Sequence, residues 1–439
     1  MKIDRIHSGW RMAAVCLAGV MIVFLAACKG NESPDKNLVI YEEMEDRVVN
    51  LFSPMEKTMP DAENVARTAS DLTIIMAEEK LGVKVAYRTY TAEDYQDRTY
   101  DDVTLDRVRN DMDDIYLLNP DTIMTLSEEG KLADLSGLDC ARNLRDVVKT
   151  ANTVNGKLVA IPQEVVAYGL FVNKEMFDQY GLQLPETPED FLECCRVFKE
   201  NGIETPVGAN RWWLETFVFA QAYADLYNGE NTEAEIAALN SGESKYSDYM
   251  RPGFEFLQQL IDCGYIDAEK AYVSEAFEGE GEDFLAQKIP IVMAYWGAAN
   301  TETFYGKPDF EMLVIGFPSS RGQMPVVPMT GFAVGANAEH KEDAMHTLEI
   351  ITSDEALQVY TETNRVISPS KNIEVECIPA LKPLNDKIQE NVYVLGSNAG
   401  MKVEQWGNIC NIVRDLLKGS SVEECMKKFD KLQNASLAK

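Results

Sequence analysis

Four tryptophans, Trp212, Trp213, Trp296 and Trp406, are the side chains of this sequence best suited to recognising a small molecule without reacting with it. A flat ring covers the apolar C–H face of a sugar, and carboxylates, amides and guanidinium groups pair with its hydroxyl rim. Tyr168 belongs to the same set, and Glu43, Asn119, Asp121 and Arg365 offer polar groups at loop ends beside strand-like runs. Each has a plainer role open to it. A tryptophan packs in a core, Asn119 caps a helix, Asp121 complements a helix dipole, and Arg365 pairs with one of many carboxylates. Covalent chemistry is poorly served. His340 and His346 lie six apart rather than at HExxH spacing, and no G-x-S-x-G, phosphate-binding loop or G-x-G-x-x-G occurs. A glycosidase needs only two carboxylates about 5–10 Å apart, which a chain with 72 acids does not exclude. No catalytic residue, metal ligand or cofactor is expected.

The elements that hold such residues begin after a segment that is not part of the fold. Lys2, Arg5 and Arg11 precede Met12–Ala27, an uncharged run too short to span a bilayer as a helix, which is the pattern of an export signal. Leu25-Ala26-Ala27-Cys28 resembles a bacterial lipobox, in which the cysteine becomes residue one and carries diacylglycerol. Residues 1–27 then read as a lipoprotein signal peptide, Cys28 as the lipidation site and 28–37 as a polar spacer. The whole chain of 439 residues carries 72 acidic against 41 basic side chains, a net −31, and removal of the signal makes it about −33. That field repels nucleic acid and anionic headgroups, so lipid must hold the protein to a membrane. Cys16 lies in the signal. The seven cysteines beyond Cys28 include no CxxC and cannot all pair. Adjacent Cys194 and Cys195, at helical spacing with Phe191 and Phe198, read as core.

Along the remainder, apolar runs alternate with helical patterns. Leu38–Tyr41 reads as a strand followed by a charged loop, Leu72–Leu81 as a helix and Val83–Tyr87 as a strand, which makes a βαβ unit. Asp114–Leu118 reads as a buried strand. Asn119 and Pro120 then supply an N-cap and an N1 proline, and Gly130 a stop. A strand over Val165–Val172 follows, then a short helix closed by Gly181, and Thr187-Pro188-Glu189-Asp190 opens another with a capping-box pattern. Residues 229–248 are polar and read as a surface excursion, with Phe254–Ile261 helical. Ile289–Tyr295 and Met312–Ile315 are strand-like, and His340–Tyr360 holds two helices, with Ser353 capping the second.

Four of these blocks, in order over about 260 residues, resemble the extracellular solute-binding proteins of bacterial ABC importers, the maltose-binding-protein-like class of carbohydrate type. They are Asp114–Leu135, Asn155–Thr187 with its G-K-x-x-x-x-P and N-K-x-x-F order, Phe284–Trp296, where Gln287 replaces the usual glycine, and Gly331–Ser370. The resemblance implies an α/β chain with the two-lobe, type II periplasmic-binding-protein fold, each lobe a mostly parallel sheet flanked by helices, with the ligand in the cleft between them. It places lobe 1 at 38–166 and 296–350, lobe 2 at 167–295 and 351–439, and implies hinge closure.

Carried onto this sequence, the resemblance puts Trp296 and Tyr168 on crossing strands, Trp212 and Trp213 at a helix start facing the cleft, and Trp406 on a late helix beneath the ligand. Glu43 falls in the first binding loop and Arg365 in a cleft-side loop. The implied activity is that of a monomeric receptor, lipid-anchored on the outer face of the cytoplasmic membrane. It would capture a sugar or oligosaccharide and deliver it to a membrane permease, with no chemistry on the ligand and no nucleic-acid partner. Two alternatives stay open at this point. One is a cationic or polyamine-like solute received by Glu42, Glu43, Glu45 and Asp46, and the other is a glycan-active or adhesion lipoprotein.

Overall fold

The computed structural model describes residues 47–54, 69–91, 95, 98–274, 279–295, 308–374 and 378–438. Cys28, Glu43 and Trp296, and the expected strand Leu38–Tyr41, lie outside them. The first strand described is β1 (Val48–Ser53), within the stretch expected as a charged loop. It pairs in parallel with β2 (Lys84–Thr89) and β3 (Ile115–Leu118). The helices Ala69–Leu81 and Tyr100–Arg109 make the connections, as a parallel sheet requires. A hairpin of β4 (Thr153–Val154) and β5 (Lys157–Leu158) turns on Asn155-Gly156, both at positive φ, the pair of residues that tolerates this two-residue turn best.

The second sheet is built on β6 (Tyr168–Asn173). Its other strands are β7 (Val207–Gly208), β8 (Ile291–Tyr295), β9 (Met312–Ile315), β10 (Val326–Val327) and β12 (Val394–Leu395), whereas β11 (Gly331–Val334) returns to the first sheet beside β3. The sheet orders are β11-β3-β1-β2 and β12-β10-β6-β8-β7, with β9 also on β6. Parallel pairs join β7 to β8 and β10 to β12. The pairings of β6 and of β11 are antiparallel, because these strands enter from the other sheet.

The chain passes between the sheets at 161–168, where Ile161 bridges Phe332 and Val165 bridges Ile367. It passes again between β10 and β11, and a third time after Ser370. This pairing corrects the expected lobe boundaries. β9 and β10 belong with β6 in the second sheet although 296–350 was assigned to lobe 1. Helix Asp354–Asn364, assigned to lobe 2, packs with Lys341–Ile351 on Ala69–Leu81 of the first unit. The apolar face Ala356, Leu357 and Tyr360 continues that of Ala344, Leu348 and Ile351, and Lys80 pairs with Glu355, so both helices find their burial on the same neighbour.

Local signals were realised where they were chemically specific. Thr187 and Asp190 form a reciprocal capping box, and Ser353 accepts from the amide of Ala356. The face Phe191, Cys194, Cys195 and Phe198 is buried, and both cysteines are free thiols. The expected surface excursion is at the surface but helical. Helices Thr232–Ser241 and Tyr246–Asp262 occupy it, the first burying only Leu239 and so lacking an apolar stripe to read. The second contains Pro252, and Gly253 lets it approach helix Glu215–Asn228 so closely that a Cβ would lie 2.7 Å from Val218 Cα. His340 is not on a helix. It precedes one, with its ring Nδ1 3.3 Å from Asp114 Oδ2.

Gln287, the residue that departs from the family pattern, has φ 53°, the left-handed conformation in which a Cβ is penalised. Gln287→Gly is expected to raise stability by about 0.5–1 kcal/mol, the strain relieved less the added chain entropy. Denaturant unfolding checks this, and a destabilised variant would contradict it.

Candidate functional site

Asn119 follows β3 and Pro120 begins a helix, so the carboxyl edge of the first sheet meets a helix amino end at this point. The Asn119 side chain does not cap that helix. Its Nδ2 donates to Asp101 Oδ1 at 2.8 Å, and burial raises the Asp101 carboxyl above its usual range. Asp121, one turn position on, faces the second unit. Its Oδ1 accepts from the backbone N–H of Gln405 at 3.1 Å. Burial, opposed by that hydrogen bond and reinforced by the nearby charge of Glu404, pushes the Asp121 carboxyl up to about 7.

The crossing segment supplies the centre. Burial alternates through 164–168: Val165 and Ala167 are buried, whereas Glu164, Val166 and Tyr168 are partly open, so these three share one side of the extended chain. Burial pushes the Glu164 carboxyl up to about 7. Tyr168, at the start of β6, lies between Trp213, at 6.3 Å between ring centroids, and Trp406, at 5.4 Å.

Trp406 opens helix Trp406–Leu417 and stacks on Phe219 at 5.2 Å with planes 29° apart. Gly396 makes room for it, since a Cβ there would lie 2.2 Å from the indole. Trp213 is 8% exposed and follows Trp212, which is 38% exposed. Helix Glu215–Asn228 begins two residues later. The Glu215 side chain is fully buried, with its own backbone N–H and the Cys410 thiol as the donors beside its carboxyl. The thiol of Cys410 is beside it and Arg414 lies near. Burial dominates both and pushes the carboxyl up to about 8.

Of the expected site residues, Asn119 and Asp121 come together with Gln405 and Asp101 at the contact between the two units. Tyr168, Trp213 and Trp406 form one aromatic group. Trp212 stands at the edge of that group, its ring under the guanidinium groups of Arg211 and Arg414 at 5.0 and 4.5 Å. Arg365 is placed apart. It caps helix Asp354–Asn364 in left-handed conformation and lines a small cavity with Arg145, Ile367, Ser368 and Leu384, near the third crossing.

Asp101, Glu164, Glu215 and Gln405 were missed in the sequence. Glu164 had a signal in its two-residue spacing from Val166 and Tyr168. Glu215 had one as an acid at the head of a helix that is apolar on nearly every side. Chemically, the group combines ring faces with carboxyls held toward their neutral form, which both donate and accept hydrogen bonds. Among the described residues no cluster of His, Cys, Asp or Glu is arranged to hold a metal ion, and no helix is long and apolar enough to cross a membrane.

Two helix-flanked sheets, joined by three crossings among the described residues with an aromatic and carboxyl group at the junction, define the two-lobed fold of the type II periplasmic binding proteins. The chain belongs to the bacterial extracellular solute-binding proteins, whose family pattern matches residues 63–358. It is similar to the multiple sugar-binding protein of Streptococcus mutans, 22% identical over 283 residues. That match spans 62% of this chain and 66% of the relative, just under two thirds of its length. Among solved structures, a family 1 extracellular solute-binding protein from Bifidobacterium longum subsp. infantis superposes with TM-score 0.69 at 18% identity, covering 89% of this chain and 98% of that one. A Bacillus licheniformis sugar transporter protein in complex with stachyose gives TM-score 0.63 at 18% identity, covering 88% and 99%.

The Glu215 carboxyl titrates near 8 in the folded chain and near the ordinary 4.5 when unfolded, so the folded state binds the extra proton between those values. Stability from this group is complete below pH 4.5 and is lost as pH rises through 8. Glu215→Gln, which mimics the neutral acid, is expected to flatten the fall in melting stability between about pH 5 and pH 9 by at least about 2 kcal/mol. Equal slopes for both proteins would show that Glu215 is not buried neutral.

Proposed function

We propose that this protein is the substrate-binding component of an ABC importer, anchored outside the cytoplasmic membrane by lipid on Cys28. It captures a sugar or oligosaccharide by closure of its two lobes and hands it to a membrane permease unchanged. The observation that carries the reading is the aromatic group Trp213–Tyr168–Trp406 at the junction of the lobes, flanked by Asp121, Glu164 and Glu215. Ring faces match the C–H face of a sugar, and near-neutral carboxyls match hydroxyls, each of which gives and takes a hydrogen bond.

A cationic solute fits less well, because it calls for ionised carboxylates and burial opposes ionisation of all three. The sugar-binding relative from Streptococcus mutans and the stachyose complex support the carbohydrate reading. Glu43 and Trp296 are proposed as further ligand contacts from the sequence pattern, with Asn119 and Trp212 at the margins. Arg365 fits better as part of the hinge than of the site.

In a thermal-shift screen of oligosaccharides, amino acids and polyamines, an oligosaccharide at about 100 times its Kd is expected to add about 2.7 kcal/mol of stability. Trp406→Ala is expected to cost about tenfold or more in affinity through lost ring contact. A polyamine that shifts melting where no sugar does would overturn the substrate. Metabolic labelling with palmitate is expected to mark the wild-type chain and to fail on Cys28→Ala. Equal labelling would remove the anchor.

A further inference from the structure

Beyond the aromatic group, one face of helix Trp406–Leu417 continues outward in an ordered way. Trp406 lies against Tyr168, Cys410 against Glu215, and Arg414 over Trp212, at i, i+4 and i+8. At 1.5 Å per residue this sets the Arg414 backbone about 12 Å from that of Trp406, within reach of one short oligosaccharide. One turn further on, Lys418 Nζ sits 4.6 Å over the ring of Tyr272, whose carbonyl accepts from Arg211 at 3.3 Å. The outer end of the row therefore presents two aromatic rings carrying cations, on a chain whose net charge is −31.

Arg414 and Lys418 make no ion pair with a carboxylate among the described residues, where most arginines do. Arg414 holds only a long 3.4 Å contact to Asn411, and its Nε–H is buried without an acceptor. Glu215, which lies near it, forms no ion pair with the guanidinium, and burial pushes its carboxyl toward the neutral form. Desolvating a guanidinium beside an indole and leaving its donors unsatisfied is costly unless an acceptor arrives with the ligand.

We propose that Arg414, with Lys418 and the ring of Trp212, forms a subsite for an acidic sugar, so that the ligand is an oligosaccharide bearing a carboxylate at one end. A uronate places a planar carboxylate on an otherwise ordinary pyranose. The guanidinium takes the two carboxylate oxygens, Lys418 adds a second charge, and the ring face rests on Trp212. The inference depends on the carbohydrate reading above and narrows it to a charged class.

The test uses the intact mature chain and matched pairs of probes, tri-galacturonate and glucuronate-terminated xylo-oligosaccharide, each against its neutral methyl ester. Titration calorimetry is expected to give the acid at least about tenfold tighter binding than its ester. The preference should shrink as salt is raised, while binding of the ester should not. Arg414→Gln is expected to bring the acid-to-ester ratio close to one, and Lys418→Gln to reduce it. Should Arg414→Gln misfold through loss of its packing on Trp212, the wild-type ratio, its salt dependence and Lys418→Gln still decide. Esters binding as tightly as acids, or an acid preference that survives both substitutions, would overturn the subsite and leave the carbohydrate reading standing. Neutral oligosaccharides binding where no acid does would have the same meaning. A chain that binds no carbohydrate of either kind, yet binds an amino acid or polyamine, would overturn both.

Discussion

The extended run from Ile161 to Asn173 is the constraint on which the rest of this molecule rests. At one end it bridges Phe332 in the first unit and at the other it is the central strand of the second sheet, with β8 on one side and β9 and β10 on the other. Backbone pairing on both flanks fixes its register, and register fixes which side chains face the junction, because a slip of one residue would turn Glu164 and Tyr168 into the core. Gly169 shows how tight this is: a Cβ there would lie 2.4 Å from the Ile315 carbonyl. Strand β9 can lie on β6 only because that position has no side chain. The same run is a natural place for relative motion of the lobes, since it is one of only three passages of the described chain between them.

Electrostatics divides the protein into two regimes. Most ion pairs, such as Arg196 with Glu193 and Glu200, are exposed and contribute little to stability. They and the unpaired carboxylates make an acidic, solvated coat suited to an exported protein. Inside, most charge is either matched or suppressed. Arg107 meets Asp113 through two hydrogen bonds of 2.7 and 2.8 Å and lies over the ring of Phe52. Asp121, Glu164 and Glu215 are instead pushed toward their neutral forms. That contrast is what gives the junction a chemistry different from the surface, although both are rich in the same residue types.

A good part of the fold was legible because it rests on short-range chemistry. The Thr187 capping box, Pro120 at N1, the Ser353 cap and the Asn155-Gly156 turn each depend on residues within a few positions of one another, so their spacing is enough to read them. Helix Thr232–Ser241 was not legible, because a helix that buries almost nothing leaves no stripe. The assignment of β9, β10 and helix Asp354–Asn364 to their lobes was also beyond reach, since an apolar run does not say which sheet it will join. Within the site, Tyr168, Trp213 and Trp406 could be named as flat rings, but their contact with one another could not. Nor could the departure of Asn119 from its cap to reach Asp101.

By itself, then, the sequence determined the residue types available for binding, the local caps and turns, the order of elements and, through four blocks, the family. Tertiary structure alone decided that three rings more than 40 residues apart in sequence meet at one junction, that Gln405 closes on Asp121, and that Arg414 lies over Trp212 and near the buried Glu215. The physical reason is that propensity and capping act over a few bonds. Burial, and with it the protonation state of a carboxyl or the partner of a guanidinium, depends on what distant parts of the chain exclude from water.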